Sequence, residues 1–152
     1  MLFCYYLSGE NYVRIRKMLQ GKIYNPNDEE ILSLRNKAHA LCAKFNRIED
    51  DNDINRKLII GELIPHNNNL YLQGPIYFDY GINTHFGKNC YANFNFTVLD
   101  ICSISIGDNV VIAAGSVVTH NIPSNTLAAG NPCKVIRNIT KEDSIYLKKE
   151  LF

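Results

Sequence analysis

Between residues 103 and 120 the chain reads SISIGDNVVIAAGSVVTH, and an aliphatic residue followed by a small one returns every six positions: Ile106-Gly107, Ile112-Ala113, Val118-Thr119. The same step runs upstream through Phe86, Ala92 and Val98, and before that from Ile76 to Ile82. Such a step matches neither the 3.6-residue turn of a helix nor the simple alternation of a strand. It is the signature of a parallel β-helix, in which three short strands make one triangular coil of about 18 residues. Phe86-Gly87 and Ile106-Gly107 lie 20 residues apart. The surplus predicts a bulge near Ile101 to Ser105.

The step is absent from residues 8–64, which read as helical. ENYVRIRKMLQG carries Val13, Met18 and Leu19 and stops at Gly21, a plausible exit glycine. Asp28 can cap a second helix whose stripe is Ile31, Leu34, Ala38, Leu41, Cys42 and Phe45. A weaker third helix, Asp51 to Leu63, carries Ile54, Leu58, Ile59 and Leu63. Pro65 and the run Asn67-Asn68-Asn69 mark a break. At the other end, Thr140 followed by Asp143 resembles a helix start, with Ile145, Leu147 and Leu151 as a short stripe. The expected division is therefore a helical region over 1–65, a β-helix over 66–139 and a short C-terminal helix over 140–152. Little more than two full coils are countable, which is thin for a solenoid. Asparagine is common, with 19 residues, and Asn suits tight corners because it tolerates the left-handed backbone region. Coding-base bias accounts for the excess equally well.

Composition bounds the partners. A chain of 152 residues with net charge +1 gives no reason to expect nucleic acid or an anionic membrane as the main partner. No apolar run approaches the roughly 20 residues of a membrane span. The opening MLFCYYL has no basic region and no small-residue cleavage site, so it does not read as a signal peptide. Five cysteines, an odd number without CxxC spacing, argue against a disulfide framework and a structural zinc site. Free thiols in a reducing cytoplasm are the expectation.

Three strings carry a resemblance. MLQGKIYNPNDEEILSLRNKAHALCAKFN is similar to the N-terminal helical region of the maltose, galactoside and nodulation sugar O-acetyltransferases. FDYGINTHFGKNCYANFNFTVLDICSISIGDN resembles their first coils, and VIAAGSVVTHNIPSNTLAAGNPCKVIRNI their last coil and closing segment. Together they run over about residues 10–139. The resemblance implies a left-handed parallel β-helix, an exception to the usual right-handed crossover. It also implies a homotrimer with active sites between subunits. Acetyl-CoA would give its acetyl to a sugar hydroxyl with no covalent intermediate and no metal. By matching position, Asp79, Tyr91, Asn93 and Asp100 fall at the sugar, with Asp100 a candidate acceptor or His-orienting group. A turn role for Asp79 and a corner role for Asn93 stay open. Ala114, Thr119 and His120 match the pantetheine groove, and Lys134 and Arg137 match the coenzyme phosphate contacts, unless those two form a solvated basic end.

One part of the family pattern is absent. Relatives carry an IGDN after their LD motif and a second one before AAGSVVT, with further coils and a long loop between. Here the two are merged at Ile106 to Asn109. Removing whole coils preserves the six-residue phase, and a solenoid tolerates that because each repeat contacts mainly its neighbours. The absent stretch holds the family's general-base histidine. Four histidines remain: His39, His66, His85 and His120. Of these His120 is the one weak candidate for a replacement base. The alternative is a family remnant that binds coenzyme A or sugar without turnover, or a purely structural trimer.

Overall fold

The computed structural model describes residues 15–50 and 53–143. Val13 and residues 144–152, with Ile145, Leu147 and Leu151, lie outside them. Residues 15–19 are helical and end at Gly21, whose φ is +68°. Gly21 N–H donates to Met18 O and Lys22 N–H to Lys17 O, a left-handed glycine exit. Met18 is buried, but Leu19 is exposed.

Helix α1 (Glu29–Phe45) begins at Asp28, whose carboxylate accepts from Glu30 N–H. It buries Ile31, Ala38, Leu41, Cys42 and Phe45, the stripe the spacing predicts. Helix α2 (Ile54–Leu63) is capped by Asp53 and buries only part of the expected stripe, Leu63 with Ile59 packed against the core. Ile54 and Leu58 are exposed, while Arg56, Ile60 and Leu63 are buried. The cause is Arg56. Its guanidinium donates to Leu72 O (3.2 Å) and Gln73 O (2.7 Å) and lies 4.3 Å over the centre of the Phe45 ring.

The rest is a parallel β-helix. Coil 1 comprises β1 (Asn68–Leu72), β2 (Ile76–Phe78) and β3 (Thr84–Phe86). Coil 2 comprises β4 (Lys88–Ala92), β5 (Phe96–Val98) and β6 (Ile104–Ile106). Coil 3 comprises β7 (Val111–Ile112), β8 (Val117–Val118) and a bridge from Ile122 to Ile106. Side 1 stacks β1, β4, β7 and then β9 (Thr126–Ala129), all parallel, and β10 (Lys134–Asn138) closes it antiparallel. There are thus three coils and a fourth rung on side 1, against little more than two coils counted from the sequence. The additional rungs come from Asn68–Leu72 and Thr126–Ala129, whose Leu70 and Ala128 lie six residues before Ile76 and six after Ile122.

The 20-residue step has a different origin from a bulge. Val98 to Ile106 takes eight residues and Val118 to Ile122 only four, although both cross the same side of the triangle. The surplus is a loop over residues 99–103, stacked on its counterpart at 79–83, while Ile104–Ile106 stays a regular strand. Ile82 sits in the first of these loops and packs beside Met18, Ile31 and Tyr80, not inside the coil. The other stepped positions, Ile76, Phe86, Ala92, Val98, Ile106, Ile112 and Val118, are all buried inside. No break occurs at Val110-Val111: Tyr91 N–H donates to Val110 O, and Val111 pairs with Tyr91 above and Leu127 below.

Corners explain the glycines and asparagines. A Cβ on Gly107 would collide with the backbone N and Oγ of Ser124 in the next coil. Asn69, Asn89, Asn109 and Asn125 all have φ between 53° and 57°. Their side-chain amides hydrogen-bond from rung to rung at 2.7, 3.3 and 2.9 Å. The asparagine excess therefore has a structural use.

The helices seal the top of the stack. Asn46, just past α1, donates to Ile76 O (3.0 Å) and accepts from Ile76 N–H (2.8 Å), standing in for a strand above β2. Above β1 the Arg56 guanidinium donates to Leu72 O, and His66 O accepts from Phe86 N–H on β3. At the bottom, Val117 N–H donates to Gly130 O, and Cys133 N–H donates to Val117 O. Thr140 N–H donates to Asp143 Oδ2 at the 3-10 turn Lys141–Asp143. Among the described residues, no helix is long and apolar enough to cross a membrane, and Cys42, Cys90, Cys102 and Cys133 are free.

Asn46→Ala leaves both polar groups of Ile76 without their partner. It is expected to cost about 2 kcal/mol, read as a lower urea midpoint. An unchanged midpoint would show that the β2 edge is held by something else.

Candidate active site

Two corners of the coil carry the residues singled out from the sequence. At the corner after side 2, Asp79 N–H donates to Val98 O (3.1 Å) and Leu99 N–H to Val118 O (2.9 Å). Asp79, Leu99 and Thr119 therefore form one column. Successive rungs are about 4.8 Å apart, so Asp79 and Thr119 are separated by about 10 Å. At the corner after side 1, Asn93 N–H donates to Ile112 O, and Asn93 stacks over Ala113. Ala114 is exposed at the turn below, beside Gly115 at φ +71°.

Where α1 lies against β2, the first corner opens into a cleft of about 370 Å³. Helix α1 lines it with His39, Cys42, Ala43 and Asn46. Coil 1 adds Tyr77, Phe78 and Asp79, and coil 2 adds Thr97, Val98 and Leu99. Burial pushes the Asp79 carboxyl above its ordinary value, against the pull of positive charge at His39 and Arg35. The Cys42 thiol is pushed up to about 11, chiefly by burial. It is neutral near pH 7 and is no nucleophile there.

Asp100 is not on this surface. It is fully buried, and its carboxylate accepts from Tyr80 N–H (2.8 Å), Asn83 N–H (3.3 Å) and Thr84 Oγ1 (3.0 Å). Its backbone O accepts from Asn83 Nδ2 (2.8 Å). Asp100 thus pins the 79–83 loop that carries Asp79, and no face is left for a sugar. Desolvation outweighs these hydrogen bonds and raises its carboxyl to about 6.

The remaining candidates are spread out. Tyr91 stacks on Tyr71 on side 1, with ring centres 5.7 Å apart, and Asn93 Oδ1 accepts from Phe94 N–H. Neither lines the cleft of Asp79. Thr119 and His120 are exposed and 3.1 Å apart, Oγ1 to Nδ1. Lys134 and Arg137 are exposed on β10, and Arg137 makes a two-point contact with Asp143 at 2.7 and 2.8 Å. His85 stacks on His66 with ring centres 4.5 Å apart on side 3, and burial lowers its pKa. Among the described residues, no three His, Cys, Asp or Glu side chains converge as a metal group.

Sequence reasoning passed over His39, Tyr77, Thr97 and Leu99. The 20-residue step could have given the pairing of Tyr77 with Thr97, both outward on side 2. His39 flanks the buried stripe of α1, but only the docking of α1 on β2 turns it toward Asp79.

Asp100 also generates a pH dependence. Its pKa is about 6 in the folded state, against about 3.9 in an unfolded chain. Between those values the folded state holds more protons, so this contribution is present at low pH and is lost as pH rises through about 6. The Tm advantage of the native chain over Asp100→Asn should grow from pH 7 to pH 5. A flat difference would mean an ordinary carboxylate.

Comparison with known proteins supplies the context. Residues 17–66 match the maltose acetyltransferase hexapeptide capping motif. A maltose O-acetyltransferase from Clostridium difficile 630 superposes with TM-score 0.61 at 31% identity, over 84% of this chain and 98% of that one. A galactoside acetyltransferase solved in complex with coenzyme A gives TM-score 0.64 at 28% identity, over 86% and 92%. The galactoside O-acetyltransferase of Escherichia coli K12 is 28% identical over 195 aligned positions, which take in 92% of this chain and 96% of that protein. Since 92% of 152 residues is about 140, about 55 of those positions stand opposite gaps here.

Proposed function

Because this chain belongs to the maltose and galactoside O-acetyltransferase family of hexapeptide-repeat proteins, we propose that it transfers acetyl from acetyl-CoA to a sugar hydroxyl. The observation that carries this reading is the column Asp79–Leu99–Thr119 beneath the α1 cleft. A carboxylate suited to hydroxyls sits about two rungs, about 10 Å, above Thr119. Acetyl-CoA is the donor substrate. Its pantetheine arm would run along Ala114, Thr119 and His120, and its phosphates would meet Lys134. Arg137 would meet them only by exchanging its contact with Asp143.

A homotrimer completes this arrangement. Asp79 occupies one corner, and Tyr91 and Asn93 belong to another side, so a neighbour's corner is needed to bring both sets to one sugar. The buried thiol at Cys42 speaks for direct transfer over an acyl-cysteine. The gapped positions favour a second reading, a family remnant that binds the coenzyme or a sugar without turnover.

Thiol release from acetyl-CoA, measured with maltose, glucose and β-galactosides, separates the two. Turnover above the no-sugar control is expected. Binding of acetyl-CoA without thiol release for any acceptor would favour the remnant. Lys134→Ala should raise the KM for acetyl-CoA about fivefold, the equivalent of about 1 kcal/mol for an exposed charge contact.

A further inference from the structure

Transfer to a hydroxyl needs a base, and we propose that His39 is that base, facing the carboxylate of Asp79 across the α1 cleft. The inference rests on reading the chain as an acetyl-CoA-dependent O-acetyltransferase. It goes beyond that reading by naming a catalytic residue on the helical region.

The positions of the four histidines single it out. His66 and His85 stack on each other on side 3, away from the cleft. His120 sits beside Thr119 at the donor end of the column. His39 alone lines the cleft together with Asp79, Tyr77 and Thr97. Its place is fixed by the fold. Asn46 lies two turns further along the same helical face and is tied to both polar groups of Ile76. That anchor sets how far α1 slides along β2, and with it the height of His39 over Asp79. A base carried on an anchored helix is held more rigidly than one on a loop.

The surroundings suit the role. Asp79 faces the imidazole from the 79–83 loop, Arg35 stands one turn earlier on α1, Tyr77 projects from β2, and the neutral Cys42 lies on α1. A carboxylate across the cleft favours the imidazolium that forms as the proton arrives. The cleft volume, about 370 Å³, lies within the range of small-molecule sites and leaves room for an acceptor between the two.

In the step itself, a ring nitrogen of His39 takes the hydroxyl proton as the acceptor oxygen bonds to the thioester carbonyl carbon. The carbon–sulfur bond then breaks. The coenzyme sulfur leaves with the electron pair and takes the proton from the imidazolium, which returns His39 to its neutral form.

The test is thiol release against acceptor concentration and pH for the native chain, His39→Gln and Asp79→Asn. His39→Gln should lower kcat about 100-fold or more, the usual worth of a general base. KM for acetyl-CoA should stay within about twofold, and the acidic limb of the kcat profile should vanish. Asp79→Asn should raise the KM for the acceptor, because its carboxylate lines the cleft where the hydroxyls would sit. An active native chain whose His39→Gln variant keeps kcat within about twofold would overturn the assignment and leave the acetyl transfer standing. A native chain that binds acetyl-CoA by calorimetry yet releases no thiol overturns both. His39 is on the exposed flank of α1, so His39→Gln is expected to keep the native circular dichroism spectrum.

Discussion

A stack of parallel coils has open backbone edges at both ends, and every other feature of this molecule depends on how those edges are satisfied. Three coils bury a narrow column of aliphatic and aromatic side chains, with Phe78, Phe86 and Phe96 meeting edge to face. That column has no lid of its own. The helical region supplies one by imitating strands: a side-chain amide above β2, a guanidinium above β1 and a loop carbonyl above β3. An unsatisfied edge is both a stability cost and a template for aggregation. The buried Arg56 is therefore part of the fold, and it decides which face of α2 turns inward.

The same lid makes the candidate site. The residue that seals β2, Asn46, also lines the cleft, and α1 brings His39 over Asp79. Asp100 holds the opposite wall by gathering Tyr80, Asn83 and Thr84 around one buried carboxylate. Seal and site are thus one construction. The closing segment lies three coils below that construction, so the whole stack is short. In coils 1 to 3 the corners at Asp79, Leu99 and Thr119 are parts of one short column.

Much of this was legible in the chain. The six-residue step located the interior of the coil at every position except Ile82, and the resemblance located the family. Ile82 misled because six-residue phase was carried through a loop that leaves the triangle. The stripe of α1 was readable because its apolar spacing matches a helix packed on one side. That of α2 was not, because an arginine bound to two carbonyls outweighed Ile54 and Leu58. Asp100 resembled a site residue because a carboxylate in a motif looks alike whether it faces a substrate or three chain donors. Burial separates the two cases, and burial is a property of the folded chain.

By itself the sequence determined the period, and with it the kind of fold. An aliphatic residue at every sixth place, a glycine where the next coil approaches and an asparagine or glycine at the left-handed corners admit few alternatives to a triangular stack. These are local preferences, repeated, and repetition makes them readable. Only the tertiary structure decided the strand pairing that makes each rung, the loops at 79–83 and 99–103, and the cleft that His39 and Asp79 share. Those two residues are 40 positions apart and share no local pattern. Their encounter follows from the docking of one helix on one strand edge, a long-range hydrogen-bonding requirement that no window of sequence contains.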